Sequence, residues 1–333
     1  MTHEHPILNE RVKRRRRGLD WTVLIQLVAL IPSLLVGLGI VMLLATVVLE
    51  FVPHRPGWVQ WLPLGAATGW FLLGFLLFAP FAQGFMARHF FKFREPVLAE
   101  RSHMSHPWGE VLRRAGIPTG KYRLWVEDNN ELNAGACGGN IVSITRGAMR
   151  YQGEHLGAIM AHELGHRING HTYPGLLAWW YSQPLAIIKR IAWSVLRVAV
   201  ALLRFISYLD IRVALVGYLA IGAVYFFILF GLVSAIIWAW RTFWPSVIVL
   251  ALAWVLSPVI GRMAEHRADR TAVQLGYGDA LVAVFREWQA MGADEHSQRS
   301  LRALWTASHP PLHSRIRRIE KRLSTAGNPS GRP

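Results

Sequence analysis

Long uninterrupted apolar runs alternate along this chain with segments of mixed polarity. Residues 21–49, 57–87, 213–240 and 242–261 contain no Asp, Glu, Lys or Arg. Crossing a hydrocarbon core of about 30 Å takes roughly 20 apolar helical residues, so each run predicts a transmembrane helix. The runs pair as two hairpins, 21–87 closed by residues 50–56 and 213–261 closed by a tight link at Arg241. Trp58, Trp61, Trp238, Trp240 and Trp244 stand where an aromatic belt would sit. The competing reading, buried helices of a large soluble core, fits poorly because such long runs rarely recur within one soluble domain.

The rest shows shorter periods. Residues 122–126 alternate as a strand, 128–130 read as a turn, and 141–145 are β-branched after Gly138-Gly139-Asn140, predicting a small antiparallel sheet. In 152–169, Leu156, Ile159, Met160, Leu164 and Ile168 recur at helical spacing, and Gly170 marks the end. Residues 174–212 are apolar but broken by Lys189, Arg190, Arg197, Arg204 and Arg212. Arg190, Arg197 and Arg204 are seven apart, within about 40° on a helical wheel. This predicts an amphipathic helix on the membrane surface, its arginines toward lipid phosphates. A fifth spanning helix with snorkelling arginines is the alternative. The expected layout is a basic tail 1–20, hairpin 21–87, a water-exposed part 88–173, the interfacial segment 174–212, hairpin 213–261 and a second water-exposed part 262–333.

Composition adds direction. Of 333 residues 17% are charged, against about a quarter in soluble domains, and the net charge is +16. Arg11, Lys13 and Arg14 to Arg17 precede the first run, Arg88, Lys92 and Arg94 follow the second, and Arg262, Arg267 and Arg270 follow the fourth. The hairpin tips carry only Arg55 and Arg241, so both termini and the parts between the hairpins are expected in the cytoplasm, as in a multi-pass inner-membrane protein. The first run is too long for a signal-peptide core and lacks an obvious cleavage site. The arginine run could suggest nucleic acid, but beside a membrane helix it reads as a topology determinant that attracts anionic lipid, and no nucleic-acid partner is expected. With one Cys, no intrachain disulfide and no four-cysteine zinc site can form.

The chemistry sits at His162-Glu163-Leu164-Gly165-His166. Two His four apart on a helix lie about 40° apart and about 6 Å along the axis, so both can reach one ion, with Glu163 close enough to hydrogen-bond a water there. A salt-bridged surface helix is the plain reading of the pattern alone. A catalytic zinc needs a third protein ligand and an open position. Glu265, just beyond the fourth run, offers it, and Asp269, four residues on, can accept a hydrogen bond from the far nitrogen of a ligand His. His171 is a rival third ligand at an unfavourable spacing, His266 points about 100° from Glu265, and Cys137 reads as a packed small residue.

These blocks resemble the M48 metallopeptidases, and within them the four-helix membrane proteases of the HtpX type. The resemblance runs in order from about Leu132 to Ile319: Asn133-Ala134 before a glycine turn and strand, His162-Glu163-x-x-His166, two membrane helices, Glu265-x-x-x-Asp269, then His309-Pro310-Pro311 with Arg315 and Ile316. Gly135 stands where members often have Phe, and the basic insert after the metal helix is longer than in the bacterial archetype. The resemblance implies an α+β membrane protein: four transmembrane helices plus a mainly helical gluzincin-type domain with the small antiparallel sheet. It implies one Zn2+ held by His162, His166 and Glu265, Glu163 as general base, and His309 as oxyanion donor with Arg315 orienting it or adding charge. Asn133, on an edge strand with Ala134, would hold the substrate backbone or leaving amine, while the strand adds the peptide alongside. The implied activity is endopeptidase cleavage of membrane-associated, damaged or misassembled polypeptides, with protein quality control and stress response as the setting. The bilayer and its anionic lipids are the other expected partners. A non-catalytic membrane adaptor with a structural zinc is the alternative from another class; Glu163, which a structural site does not need, speaks against it. Cleavage of prenylated carboxyl termini, as in seven-helix relatives, fits less well with four spanning helices.

Overall fold

The computed structural model describes residues 21–53, 56–130, 134–137, 140–170, 172–206, 211–292 and 310–327. The chain divides into two units, one of residues 1–30, 72–177 and 255–333, the other of 31–71 and 178–254.

The second unit is helical. It takes in most of α1 (Trp21–Glu50), a short 3-10 turn (Gly57–Trp61), most of α2 (Leu62–Leu76), and the greater parts of α6 (Thr172–Ile206) and α7 (Ile211–Gln274). Among the described residues, Val23–Glu50 and Gly57–Leu76 are long and apolar enough to cross a membrane by length and composition. Two expectations are corrected here. The apolar run 57–87 is not one helix: it stops at Leu76 and restarts as α3 (Pro80–His89), with Ala79 extended at φ −67° and ψ 138°. Pro80 cannot donate a backbone hydrogen bond and pushes its predecessor out of the helical region. Nor does the chain turn at Arg241, because α7 is a single helix of 64 residues that runs through it. Arg is a good helix former and neither neighbour is Gly or Pro, so nothing local compels a break. The expected second hairpin is therefore absent. The segment with Arg190, Arg197 and Arg204 is helical throughout, as part of α6. Arg190 reaches back to Gln183 (3.5 Å) and Arg197 to Ser194 (3.2 Å) along one stripe.

The first unit carries the site. Strands β1 (Phe93–Arg94), β2 (Arg123–Glu127), β3 (Ala134–Cys137) and β4 (Ile141–Thr145) form one sheet in the order β1-β2-β4-β3. β2 and β4 are parallel, whereas β1 pairs antiparallel with β2 and β3 with β4. The sheet is thus mixed, not antiparallel as expected. The cause is β3, which takes the hairpin position beside β4 and leaves the other edge of β4 to β2 in parallel.

Against the sheet packs α5 (Gly153–Ile168), whose Leu156, Met160 and Leu164 are fully buried. Its core is shared with Val142 and Ile144 of the sheet, Met104 and Val111 of α4 (Leu98–Arg114), Leu281, Val284 and Phe285 of α8 (Gly278–Ala290), and Ile316 and Ile319 of α9 (Leu312–Gly327). Each such side chain contributes about 1.5–3 kcal/mol on burial, so this apolar stripe fixes which way the opposite face of α5 points. The helix ends with Asn169 and Gly170, the latter at φ +76°, a left-handed conformation in which Gly is the favoured residue.

Candidate metal centre

The side chains of His162 and His166 leave α5 one turn apart and meet Glu265, from the last third of α7. The His162 and His166 Nε2 atoms are 3.2 Å apart, His162 Nε2 is 3.3 Å from Glu265 Oε2, and His166 Nε2 is 3.4 Å from Glu265 Oε1. A tetrahedral ion with ligand bonds of about 2.0–2.1 Å has donor-to-donor edges of about 3.3–3.4 Å. The triangle therefore has the size a tetrahedral ion requires, and its two imidazoles and one carboxylate are a donor set suited to zinc. His162 and Glu265 are 8% and 5% exposed, so water competes little for these atoms.

The two helices approach closely for a local reason. A Cβ on Gly165, between the two His, would lie 2.8 Å from Ala268 Cα and 2.9 Å from its carbonyl oxygen. Only a residue without a side chain lets α5 sit this near α7. Asn169 Nδ2 donates to Gly165 O (2.6 Å) and to Thr271 Oγ1 (3.3 Å), fastening the pair one turn further on. On the sheet side, buried Arg167 donates to the Ile141 carbonyl.

A layer of charge backs the triangle. Asp269 Oδ1 lies 3.0 Å from His162 Nδ1, which leaves His162 Nε2 free to face the triangle. Arg315, on α9, grips Asp269 with two donors, Nε to Oδ2 at 2.9 Å and Nη2 to Oδ1 at 2.6 Å. Its Nη1 is 3.1 Å from Glu265 Oε2, and its guanidinium lies 4.2 Å over the Phe285 ring. Burial alone would raise the Asp269 carboxyl, but Arg315 and His162 hold it down at about 2. Burial pulls the His162 imidazole down, yet hydrogen bonds to Asp269 and Glu265 outweigh it and lift it to about 10. A ligand imidazole must be neutral, so metal uptake at this site is linked to loss of the His162 proton.

The structure brings His162, Glu163, His166, Glu265, Asp269 and Arg315 into one cluster, all buried but His166, which is partly so. Arg315, expected to orient His309 or add charge, contacts the two carboxylates, which makes it a positioning residue for the ligand layer. His309, Asn133 and His171 lie outside the described residues. Ala134 opens β3, an edge strand of the sheet. His266 is half-buried in a setting that lowers its pKa, first through burial, and it belongs to no metal-ligating group among the described residues. Sequence reasoning missed Gly165, Phe285, Asn169 and Thr271. A Gly inside an otherwise helical pattern costs about 1 kcal/mol relative to Ala, and that was the available signal for a close approach.

Breaking the layer has a defined cost. In the metal-free protein, Arg315→Met removes the cation from two buried carboxylates and should destabilise the fold by about 3–5 kcal/mol in thermal or denaturant unfolding. A change below about 1 kcal/mol, the range of exposed pairs, would show that Arg315 does not hold the layer.

A family model for peptidase family M48 matches residues 100–323. No curated protein matches the sequence. Among solved structures, the crystal structure of S. mikatae Ste24p is similar at 17% identity and a TM-score of 0.38, over 87% of this chain and 62% of that one. The chain thus spans somewhat under two thirds of the length of that protein.

Proposed function

The chain belongs to peptidase family M48, and from that premise we propose that it is a membrane-embedded, zinc-dependent endopeptidase acting on membrane-associated or misfolded polypeptides. The observation that carries the reading is the triangle of buried His162 and Glu265 with partly buried His166, its donor separations 3.2–3.4 Å, next to a buried Glu163. Zinc held by His162, His166 and Glu265 would supply a Lewis acid that lowers the pKa of water toward about 7. Glu163 is the base that takes up the proton of the attacking water and delivers it to the leaving amine. Asp269 keeps His162 in the tautomer that offers Nε2, and Arg315 holds the Asp269 carboxylate and pairs with Glu265. His309 supplies the oxyanion donor, Asn133 holds the substrate backbone, and β3, opening at Ala134, receives the substrate as an added strand. The membrane setting is supported by the two apolar helices Val23–Glu50 and Gly57–Leu76 and by exposed large apolar residues along them, among them Leu43 and Leu72. The cytoplasmic placement of the catalytic part follows from the Lys and Arg flanking the apolar runs.

Metal removal tests the reading. Purified chain stripped with a chelator should stop cleaving an unfolded protein such as casein, and stoichiometric zinc should restore cleavage. Undiminished cleavage by metal-free chain, or none by zinc-loaded chain, would refute it.

A further inference from the structure

The first half of α6 holds no residue of the metal centre and carries no charged residue from Thr172 to Ile188. Its surroundings set its depth. The Tyr181 carbonyl is so close to Gly37 that any Cβ there would collide with it. Gly37 is midway along the apolar stretch Val23–Glu50. On the other side, Trp180 stacks on Trp70 with ring centroids 4.1 Å apart and donates from Nε1 to the Trp70 carbonyl at 3.2 Å. Tyr181 donates its hydroxyl to the Phe71 carbonyl at 3.0 Å. Trp70 and Phe71 lie about one helical turn from the centre of the second stretch, Gly57–Leu76. Two independent helices therefore put Trp180 and Tyr181 at the depth of their own middles.

The polar side chains agree with that depth. Ser182 Oγ and Gln183 Nε2 each donate to the Trp179 carbonyl at 2.8 Å. With Trp180 and Tyr181, four consecutive polar side chains all donate to backbone carbonyls. Hydrocarbon offers no water to satisfy such groups, and internal donation to carbonyls is how spanning helices accommodate them. A helix lying on the membrane surface would turn them to water. Further on, Ile187 and Ile188 are 48% and 39% exposed, apolar surface suited to lipid.

We propose that α6 crosses the bilayer beside α1 and α2, with Trp180 and Tyr181 near the midplane and Lys189 at the headgroups of the leaflet opposite its Thr172 end. The inference rests on the membrane reading of α1 and α2 given above. From Tyr181 to Thr172 is about 13 Å and to Lys189 about 12 Å, so the uncharged stretch covers most of a core of about 30 Å. The long stem of Lys189 reaches across the remainder, while Arg190 turns back to Gln183 Oε1 at 3.5 Å, its charge held by that amide. This replaces the surface-lying placement expected for residues 174–188, and it puts Arg197 and Arg204 beyond the far boundary.

The test uses the full chain in its membrane with Cys137→Ser as background and one new cysteine at a time. Pro53→Cys, between the first two spanning stretches, Ser102→Cys and Ser194→Cys are all at exposed positions. Each is exposed to a membrane-impermeant maleimide in right-side-out and in inverted vesicles. The proposal expects Pro53→Cys and Ser194→Cys to be labelled from one face and Ser102→Cys only from the other. Ser194→Cys labelled from the same face as Ser102→Cys, with Pro53→Cys opposite, would overturn the crossing by α6 and leave the first two helices spanning. Pro53→Cys sharing a face with Ser102→Cys would overturn the membrane reading of α1 and α2 and this inference with it. Trp193→Cys, at a position 64% exposed, provides the same reading should Ser194→Cys fail to accumulate.

Discussion

A Glu163→Gln chain is expected to take up metal as the unaltered protein does and to lose about 10²- to 10⁴-fold in turnover, the usual contribution of a positioned general base. Gln keeps the shape of Glu and its hydrogen-bonding capacity but cannot accept a proton at neutral pH. Glu163 is flanked by His162 and lies on a helix locked into the core by Leu156, Met160 and Leu164, so the change should leave α5 in place. The separation of effects is the informative part: kcat falls, while metal content and thermal stability stay. A variant that cleaves at the original rate would remove Glu163 from the chemistry, and one that loses metal as well would make it a structural residue.

Glu265→Ala should abolish cleavage by emptying the site. Two imidazoles remain, 3.2 Å apart at Nε2, but a two-His site lacks the third ligand that holds zinc in catalytic centres. Removal of the carboxylate also leaves Arg315 Nη1 without the partner it has at 3.1 Å, so its charge shifts fully onto Asp269. That residual cation near His162 opposes any replacement of the lost ligand by a second cation-binding arrangement. Excess zinc in the assay should not restore cleavage; recovery of the original rate by added zinc would mean that another residue completes the site.

Much of this centre can be read from the chain, and the reasons differ by residue. His162 and His166, and Glu265 and Asp269, are each four apart, and helical periodicity alone puts each pair on one face. What brings the two helices together could not be read from either: the approach depends on Gly165 against Ala268, a contact between residues over a hundred positions apart. Arg315 was legible as a charged residue near the site, but its partners were not, since the fold alone decides that a guanidinium on α9 reaches carboxylates on α7. The sheet was misread because Ala134-Gly135-Ala136-Cys137 has little β propensity, and the strand it forms is what makes β2 and β4 parallel. The break before Pro80 had a visible signal that the apolar run obscured. Arg241, by contrast, was taken as a turn from its charge, although arginine favours helix and the backbone continues through it.

The central claim is that His162, His166 and Glu265 together hold one catalytic metal ion, and metal content by elemental analysis tests it most directly. The full-length chain and its Glu163→Gln variant should each contain close to one zinc per chain, while His166→Ala and Glu265→Ala, purified identically, should contain almost none. Stoichiometric zinc in Glu265→Ala, or its absence from the unaltered chain after zinc loading, would contradict the assignment.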